Sequence, residues 1–373
     1  MRTPKMAARC VVVVIGGVFS ALFAQNPPPG WKGTVETRDG IRVVKNPAEP
    51  LHGGVTLDLE NDLVVGDERD EHSLFYYKTT TRVDGRGNIF VWDPNSFRVQ
   101  MFDRTGKFVR TLGRKGEGPG EFMDAFQVKF LLDAAGRLVV RDNAKIHVFS
   151  PEGRYERSIP GAASGERNFA VLAEGAVVRD GWAFEKDRMR ETVLLSDERG
   201  NVVKTVAGFP SLRFEVQMKE KPRFMVYYPQ LVLAPWTAEA ALFGYPSVYQ
   251  LWSVNGRGEI PLVIEKEEAP ARTTSREKSK LIDEILARNP KASRAELENQ
   301  KILPEFWPFF DALLADDRGR IFVQRTKTNL DEAPGTSFDV FSREGFYLYR
   351  AKVSKDDCQA IADGFLYSRA YNR

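Results

Sequence analysis

The sequence predicts an all-β chain, a six-bladed β-propeller carrying a short helical insertion. Three observations predict it. An Asp-x-x-Gly turn leading into an apolar strand recurs along the chain. A second strand pair, turned at glycine, follows each such unit. The units recur about every 40–50 residues, four strands at a time, as propeller blades do.

The first strand signal is the sharpest. Asp84-Gly85-Arg86-Gly87 leads into Asn88-Ile89-Phe90-Val91-Trp92-Asp93, Asp133-Ala134-Ala135-Gly136 into Arg137-Leu138-Val139-Val140-Arg141-Asp142, and Asp316-Asp317-Arg318-Gly319 into Arg320-Ile321-Phe322-Val323-Gln324-Arg325. Asp opens such a turn by bonding its own backbone, Gly closes it at positive φ, and β-branched and aromatic residues extend the chain afterwards. The second hairpins turn at Gly106, Gly153, Gly200, Gly256 and Gly345. A β-sandwich could use the same hairpins but would not space them regularly. Five units are countable. A sixth is expected from both ends of the chain, with Gly364-Phe365-Leu366-Tyr367 joined by Val55–Val65 and Leu74–Tyr77, which removes an open sheet edge.

Residues 1–24 read as a secretory leader. Arg2, Lys5 and Arg9 precede an apolar run from Cys10 to Ala24, followed by Gln25, Asn26 and three prolines. The run is shorter than the roughly 20 residues of a membrane span, although an uncleaved anchor is the alternative. Cleavage is expected after Ala24 or Ala21. Residues 25–52 read as an extension and 53–373 as the propeller, and no later stretch could cross a membrane. The mature chain is therefore expected in the periplasm or outside the cell. Loss of the leader's three cations lowers the 54 basic residues to 51, equal to the 51 acidic ones, so no charge excess argues for nucleic acid. Cys358 then stands without a partner for an intrachain disulfide.

The run Phe102-Asp103-Arg104-Thr105-Gly106-Lys107-Phe108-Val109-Arg110-Thr111-Leu112-Gly113-Arg114-Lys115-Gly116-Glu117-Gly118-Pro119-Gly120-Glu121-Phe122 resembles the bacterial six-bladed β-propeller family related to NHL repeats. Leu303–Phe309 and Ala315–Val323 resemble it too. The resemblance covers roughly residues 59–367. It implies the fold and export, and little chemistry.

Propeller topology sorts the loops. The 1–2 and 3–4 turns of each blade share one face; the 2–3 turns and the links between blades share the other. On that second, loop-rich face the candidate ligand-binding residues are Asp93, Asn95, Arg114, Lys115, Glu117, Glu121, Asp142, Asn143 and Arg325. Each has a plainer reading: the Gly-rich link 113–122 as a tight connector, and the Asp and Asn residues as turn formers. His52, His72 and His147 show no zinc-ligand spacing, and no GxSxG nucleophile elbow occurs. Residues 270–303 read as a helical insertion between the fourth and fifth blades. Thr274-Ser275-Arg276-Glu277 opens its first helix, Asn289-Pro290 ends it, and Ser293-Arg294-Ala295-Glu296 opens a second. It would serve as a lid, a partner surface or a rim decoration. Phe306-Trp307-Pro308-Phe309-Phe310 would pack where it re-enters the ring.

The leading functional expectation is a binding module that offers this face to a protein, peptide or glycan of the cell envelope. The alternative is a hydrolase or lyase assisted by a divalent cation on the axis. Three or more carboxylates or amides converging on the axis would favour the enzyme. An apolar axis, or one with scattered basic groups, would favour binding.

Overall fold

The computed structural model describes residues 8–14, 26–67, 69–75, 79–123, 128–133, 135–142, 145–160, 167–173, 175–185, 188–328, 335–355 and 357–371. The N-terminal part holds β1 (Ala8–Val14), β2 (Thr34–Arg38), β3 (Ile41–Asn46), β4 (Gly54–Leu57) and β5 (Glu60–Val65). Blade one is β6 (Thr80–Val83), β7 (Ile89–Asp93), β8 (Arg98–Phe102) and β9 (Phe108–Leu112). Blade two is β10 (Lys129–Leu132), β11 (Leu138–Asp142), β12 (Lys145–Phe149) and β13 (Tyr155–Pro160). Blade three is β14 (Phe169–Val171), β15 (Val177–Glu185), β16 (Arg188–Ser196) and β17 (Val202–Pro210). Helix α1 (Leu212–Glu220) follows. Blade four is β18 (Val232–Pro235), β19 (Ala240–Gly244), β20 (Gln250–Asn255) and β21 (Leu262–Lys266). After it come α2 (Ser275–Arg288) and α3 (Arg294–Glu298). Blade five is β22 (Phe310–Ala315), β23 (Ile321–Arg325), β24 (Thr336–Phe341) and β25 (Tyr347–Val353), and blade six begins with β26 (Cys358–Ala362) and β27 (Phe365–Tyr371).

The chain is thus a six-bladed β-propeller. Six apolar clusters show how the ring closes, because each lies between consecutive blades. Phe90, Trp92, Val140 and Phe149 join blades one and two, and Val139, Val148 and Val171 join two and three. Val193 with Phe243, Ile264 with Phe341, and Val340 with Leu366 continue the series. Ile89 and Phe102 meet Ala362 and Tyr367 to close it. Burial between sheets, at about 25 cal/mol per Å² of apolar surface, is the main force holding the ring.

The turns form as their composition dictates. Asp84 accepts from the backbone N–H of Arg86 (2.9 Å) and of Asn88 (2.8 Å). Asp133 and Asp316 repeat the arrangement, with Arg137 and Arg320 adding a side-chain bond to each carboxylate. In blade four the turn glycine is Gly258 (φ +69°), not Gly256. Asn255 opens that turn by accepting from Arg257 and Glu259, and the position that must close it is three residues on.

The sixth blade does join the two ends, with sheet order β26-β27-β1-β5. Other N-terminal strands go elsewhere. β3 adds in parallel to β21 and carries β2 outside it, and β4 adds in parallel to β25. Val55–Leu57 therefore belongs to the fifth sheet, not the sixth. The chain runs around the outside, covering the outer edges of blades four, five and six in turn, which protects three exposed edges. Asn46 ties this belt down. It is buried, accepts from Trp31 Nε1 and the Tyr347 N–H, and donates to Glu265 and Gly345 carbonyls. Leu74 and Phe75 are not in a strand; Phe75 packs into the core between blades six and one. Tyr76 and Tyr77 lie outside the described residues.

The insertion forms as expected between blades four and five. Thr274 and Glu277 make a reciprocal capping box on α2. Leu281, Ile282 and Ile285 pack with Leu297, Ile302, Leu303 and Trp307 and against Phe224, Val226 and Tyr227 of the link before blade four. Its apolar stripe is thus buried. Helix α1, in that same link, had no expectation from sequence. It is short and buries no residue completely.

Candidate functional site: the axial channel and its mouth

The first strand of every blade lines the axis. Together they enclose a channel of about 500 Å³, bordered among others by Arg82, Lys129, Arg167, Asp311, Gln359 and Arg369. On the loop-rich face it meets a recess of about 310 Å³ whose walls include Tyr227, Tyr228, Gln230, Pro246, Pro308 and Thr326. Lys129, Arg167, Asn168 and Asp311 border both spaces. The insertion shapes this mouth indirectly: Trp307 packs edge-on against Tyr227 (ring centroids 5.0 Å) and donates to Glu277 at 3.0 Å.

The channel cations are held in different ways. Arg167 is fixed by Glu191, a carboxylate 1% exposed, at 2.7 Å. Glu191 also accepts from Ser211 Oγ and the Leu231 N–H, so it gathers both ends of the link before blade four. Arg369 pairs with Asp357. Arg82 donates to the carbonyls of Thr81 (2.8 Å) and Gln359 (3.2 Å) and lies 5.6 Å over the Phe130 ring. Among the described residues no carboxylate pairs with it. Burial lowers its pKa to about 10. Lys129 has no hydrogen-bond or carboxylate partner among the described residues, and its side chain stands open to channel water. Burial within the ring lowers its pKa, and the neighbouring charges of Arg82, Arg141 and Arg167 act in the same direction, opposed by Asp180. Asp311, which accepts from Gln324 (2.9 Å), is pushed up to about 6 by burial.

Among the described residues, none of those singled out from sequence borders the channel or its mouth. Asp93 is fully buried at the end of β7, accepts from the Asn95 N–H at 3.1 Å and faces Arg98 at 3.5 Å. Asn95 is exposed in the following turn. Asp142 accepts from the Met123 N–H. Asn143 lies outside the described residues. Arg114 pairs with Glu121 at 2.7 Å, and Glu121 also accepts from the Gly118 N–H. That backbone bond first, and Arg114 second, lower the Glu121 pKa. Lys115 sits over the Phe97 ring at 5.1 Å, and Glu117 is exposed. Arg325 bonds Glu268 and Asp339.

A common role explains two of these positions, Asp142 and Arg325. In four blades a residue of the second strand, at its end or further in, holds the link that enters that blade. Asp142 holds Met123, Asp180 holds the N–H groups of Arg167 (2.7 Å) and Asn168 (3.0 Å), Arg325 holds Glu268, and Arg369 holds Asp357. These carboxylates face backbone, not the axis. Among the described residues no three His, Cys, Asp or Glu side chains come together as metal ligands. The donors needed for an axial divalent cation are therefore not assembled by these groups.

The signal for the true lining residues was present but faint. Lys129 and Asp311 are lone charges at the head of otherwise apolar stretches, Phe130–Leu132 and Ala312–Leu314, just before an Asp-x-x-Gly turn.

A family model described as a six-bladed β-propeller matches residues 78–133, which bears out the resemblance read around Gly113–Phe122. Among curated proteins no match was found. Solved structures similar in fold include regucalcin of Agrobacterium tumefaciens, named a calcium-binding protein (10% identity, 78% of this chain and 79% of that one, TM-score 0.36). A streptogramin B lyase (10%, 94% and 96%, TM-score 0.39) is another. A member of a Bacteroides vulgatus protein family (11%, 81% and 94%, TM-score 0.42) is a third. At such identities and scores these likenesses carry no chemistry to this chain. Among the described residues no helix is long and apolar enough to cross a membrane.

Proposed function

We propose that the chain is an exported binding module that takes a protein, peptide or glycan of the cell envelope at the loop-rich mouth of its axial channel. The observation carrying this reading is the lining. Among the described residues the channel holds basic groups from several blades, two of them without carboxylate partners, and no converging set of carboxylates. A rigid ring with a pre-formed concave mouth is a platform for recognition and needs no catalytic group. The recess also offers aromatic and amide surface, Tyr227, Tyr228 and Gln230, suited to sugars or extended peptides.

Export through residues 1–24 is part of the proposal. Because β1 falls inside the leader, cleavage at Ala24 leaves β26, β27 and β5 to build the sixth sheet.

The test uses exported full-length protein, its cut located by intact mass, on arrays of envelope glycans and peptides. Saturable binding is expected to one class. It should be lost in Gln230→Trp, which sets an indole at the mouth. Binding unaffected by that variant, with its melting temperature unchanged, would place the ligand elsewhere.

A further inference from the structure

We infer that the channel mouth recognises an anionic group, a carboxylate or a phosphate, held between Lys129 and Arg82. This rests on the reading of the channel as the binding site and adds the chemical class of its ligand.

Arg82 is half-buried, and Lys129 is exposed to the channel. Removing charge from bulk water is costly, so interior Lys and Arg side chains are paired. Arg167, Arg325 and Arg369 follow this: each has a carboxylate. Arg82 has no carboxylate among the described residues, and Lys129, on the channel wall, has none either. They stand on neighbouring first strands, β6 and β10, and border the same 500 Å³ space. Arg82 spends one guanidinium nitrogen on two carbonyls, and its other terminal nitrogen makes no bond with the described residues. Lys129 makes no hydrogen bond with the described residues.

Their neighbours make this stretch of the channel more positive. Arg141 and Arg167 add like charge around Lys129, while Asp180, the opposing group, is already engaged by the Arg167 and Asn168 N–H groups. Neither cation is given a carboxylate counter-charge among the described residues. An anion entering from the mouth would supply one, accepting from Lys129 Nζ and the free Arg82 nitrogen in a site partly shielded from water, where such bonds are strongest. Asp311 and Gln359, also on the channel wall, provide acceptors and donors for hydroxyl groups on the same ligand. An acidic or phosphorylated sugar fits this set.

Calorimetric titration of the full-length protein with glucuronate, glucose 6-phosphate and glucose tests the inference. Saturable binding of at least one of the two anions, and none of glucose, is expected; the stronger anion tells carboxylate from phosphate. Lys129→Met should weaken that binding about tenfold or more, as loss of a charged hydrogen bond does. Lys115→Met, the same change of charge on the exposed link, should leave it unaltered. A second readout separates a binding role from a structural one: without ligand, Lys129→Met should melt no lower than the parent, because it relieves repulsion. Equal weakening in both variants, no anion binding, or a marked fall in the Lys129→Met melting temperature would each overturn the inference. Array binding of neutral ligands at the mouth, with no anion dependence, would do so while leaving the binding-module reading intact.

Discussion

Replacing Asp339 by alanine should destabilise the protein by about 3–5 kcal/mol, the loss seen when one member of a buried charge network is removed. Asp339, on β24, has no exposed surface. Its carboxylate accepts from Tyr249 (2.7 Å), Tyr347 (2.5 Å), Arg325 (2.8 Å) and Arg350 (2.8 Å), with Lys266 at 3.5 Å. Those partners come from blades four and five, so the network fastens one blade to the next where the insertion departs. Its removal would leave Lys266, Arg325 and Arg350 around Glu268 alone. Burial by itself would raise the Asp339 pKa, but Lys266 and Arg325 outweigh it and hold the carboxyl well below its usual range. A carboxylate with a depressed native pKa contributes stability above its unfolded value, near 4, and that contribution is lost as pH falls below it. Urea denaturation at pH 7 should therefore show the full deficit of Asp339→Ala, and the gap to the parent should narrow in acid. An unchanged midpoint at pH 7 would contradict this account of the network.

Phe122→Ala should cost about as much, roughly 3–5 kcal/mol by the usual range for a buried Phe. Phe122 is completely buried where the Gly-rich link re-enters blade two. It meets Trp92 at 5.3 Å, Phe149 at 6.2 Å and His147 at 5.6 Å, spanning the core between the first two blades. Gly113 is demanded by that packing. A Cβ on Gly113, at φ +74°, would stand 2.1 Å from the Phe122 ring. The Arg114–Glu121 pair on the same link is exposed at its arginine end, and Arg114→Ala should barely move the melting temperature. Thermal melts of the two variants test the role of the link as a connector. Large loss for Phe122→Ala with little for Arg114→Ala is the expected pattern. A mild Phe122→Ala would mean that the link does not key the two blades together.

Much of the ring was legible because its signals are local. Asp84, Asp133 and Asp316 bond backbone within four residues of themselves, so composition alone announces the turn. The capping box on α2 is equally local. What escaped notice depends on distant contacts. Parallel addition of β3 and β4 to blades four and five has no turn to mark it, and Val55–Leu57 could equally have served a sixth blade. Gly256 and Gly258 both suit a turn, and only the offset from Asn255 decides between them. The candidate site suffered most. Arg82 and Lys129 lie far apart in the chain, and only the curvature of the ring sets them on one wall. Asp93 and Asp142 looked like axial ligands because strand ends point toward a face; their partners, Asn95 and Met123, lie in the loop and link beside them.

Diffraction from crystals of the exported protein soaked in selenate, a heavy tetrahedral anion, addresses the channel most directly. An anomalous peak within hydrogen-bonding reach of Lys129 Nζ and the Arg82 guanidinium is the predicted result. Selenate scattered over outer surfaces, with none on the axis, would contradict it.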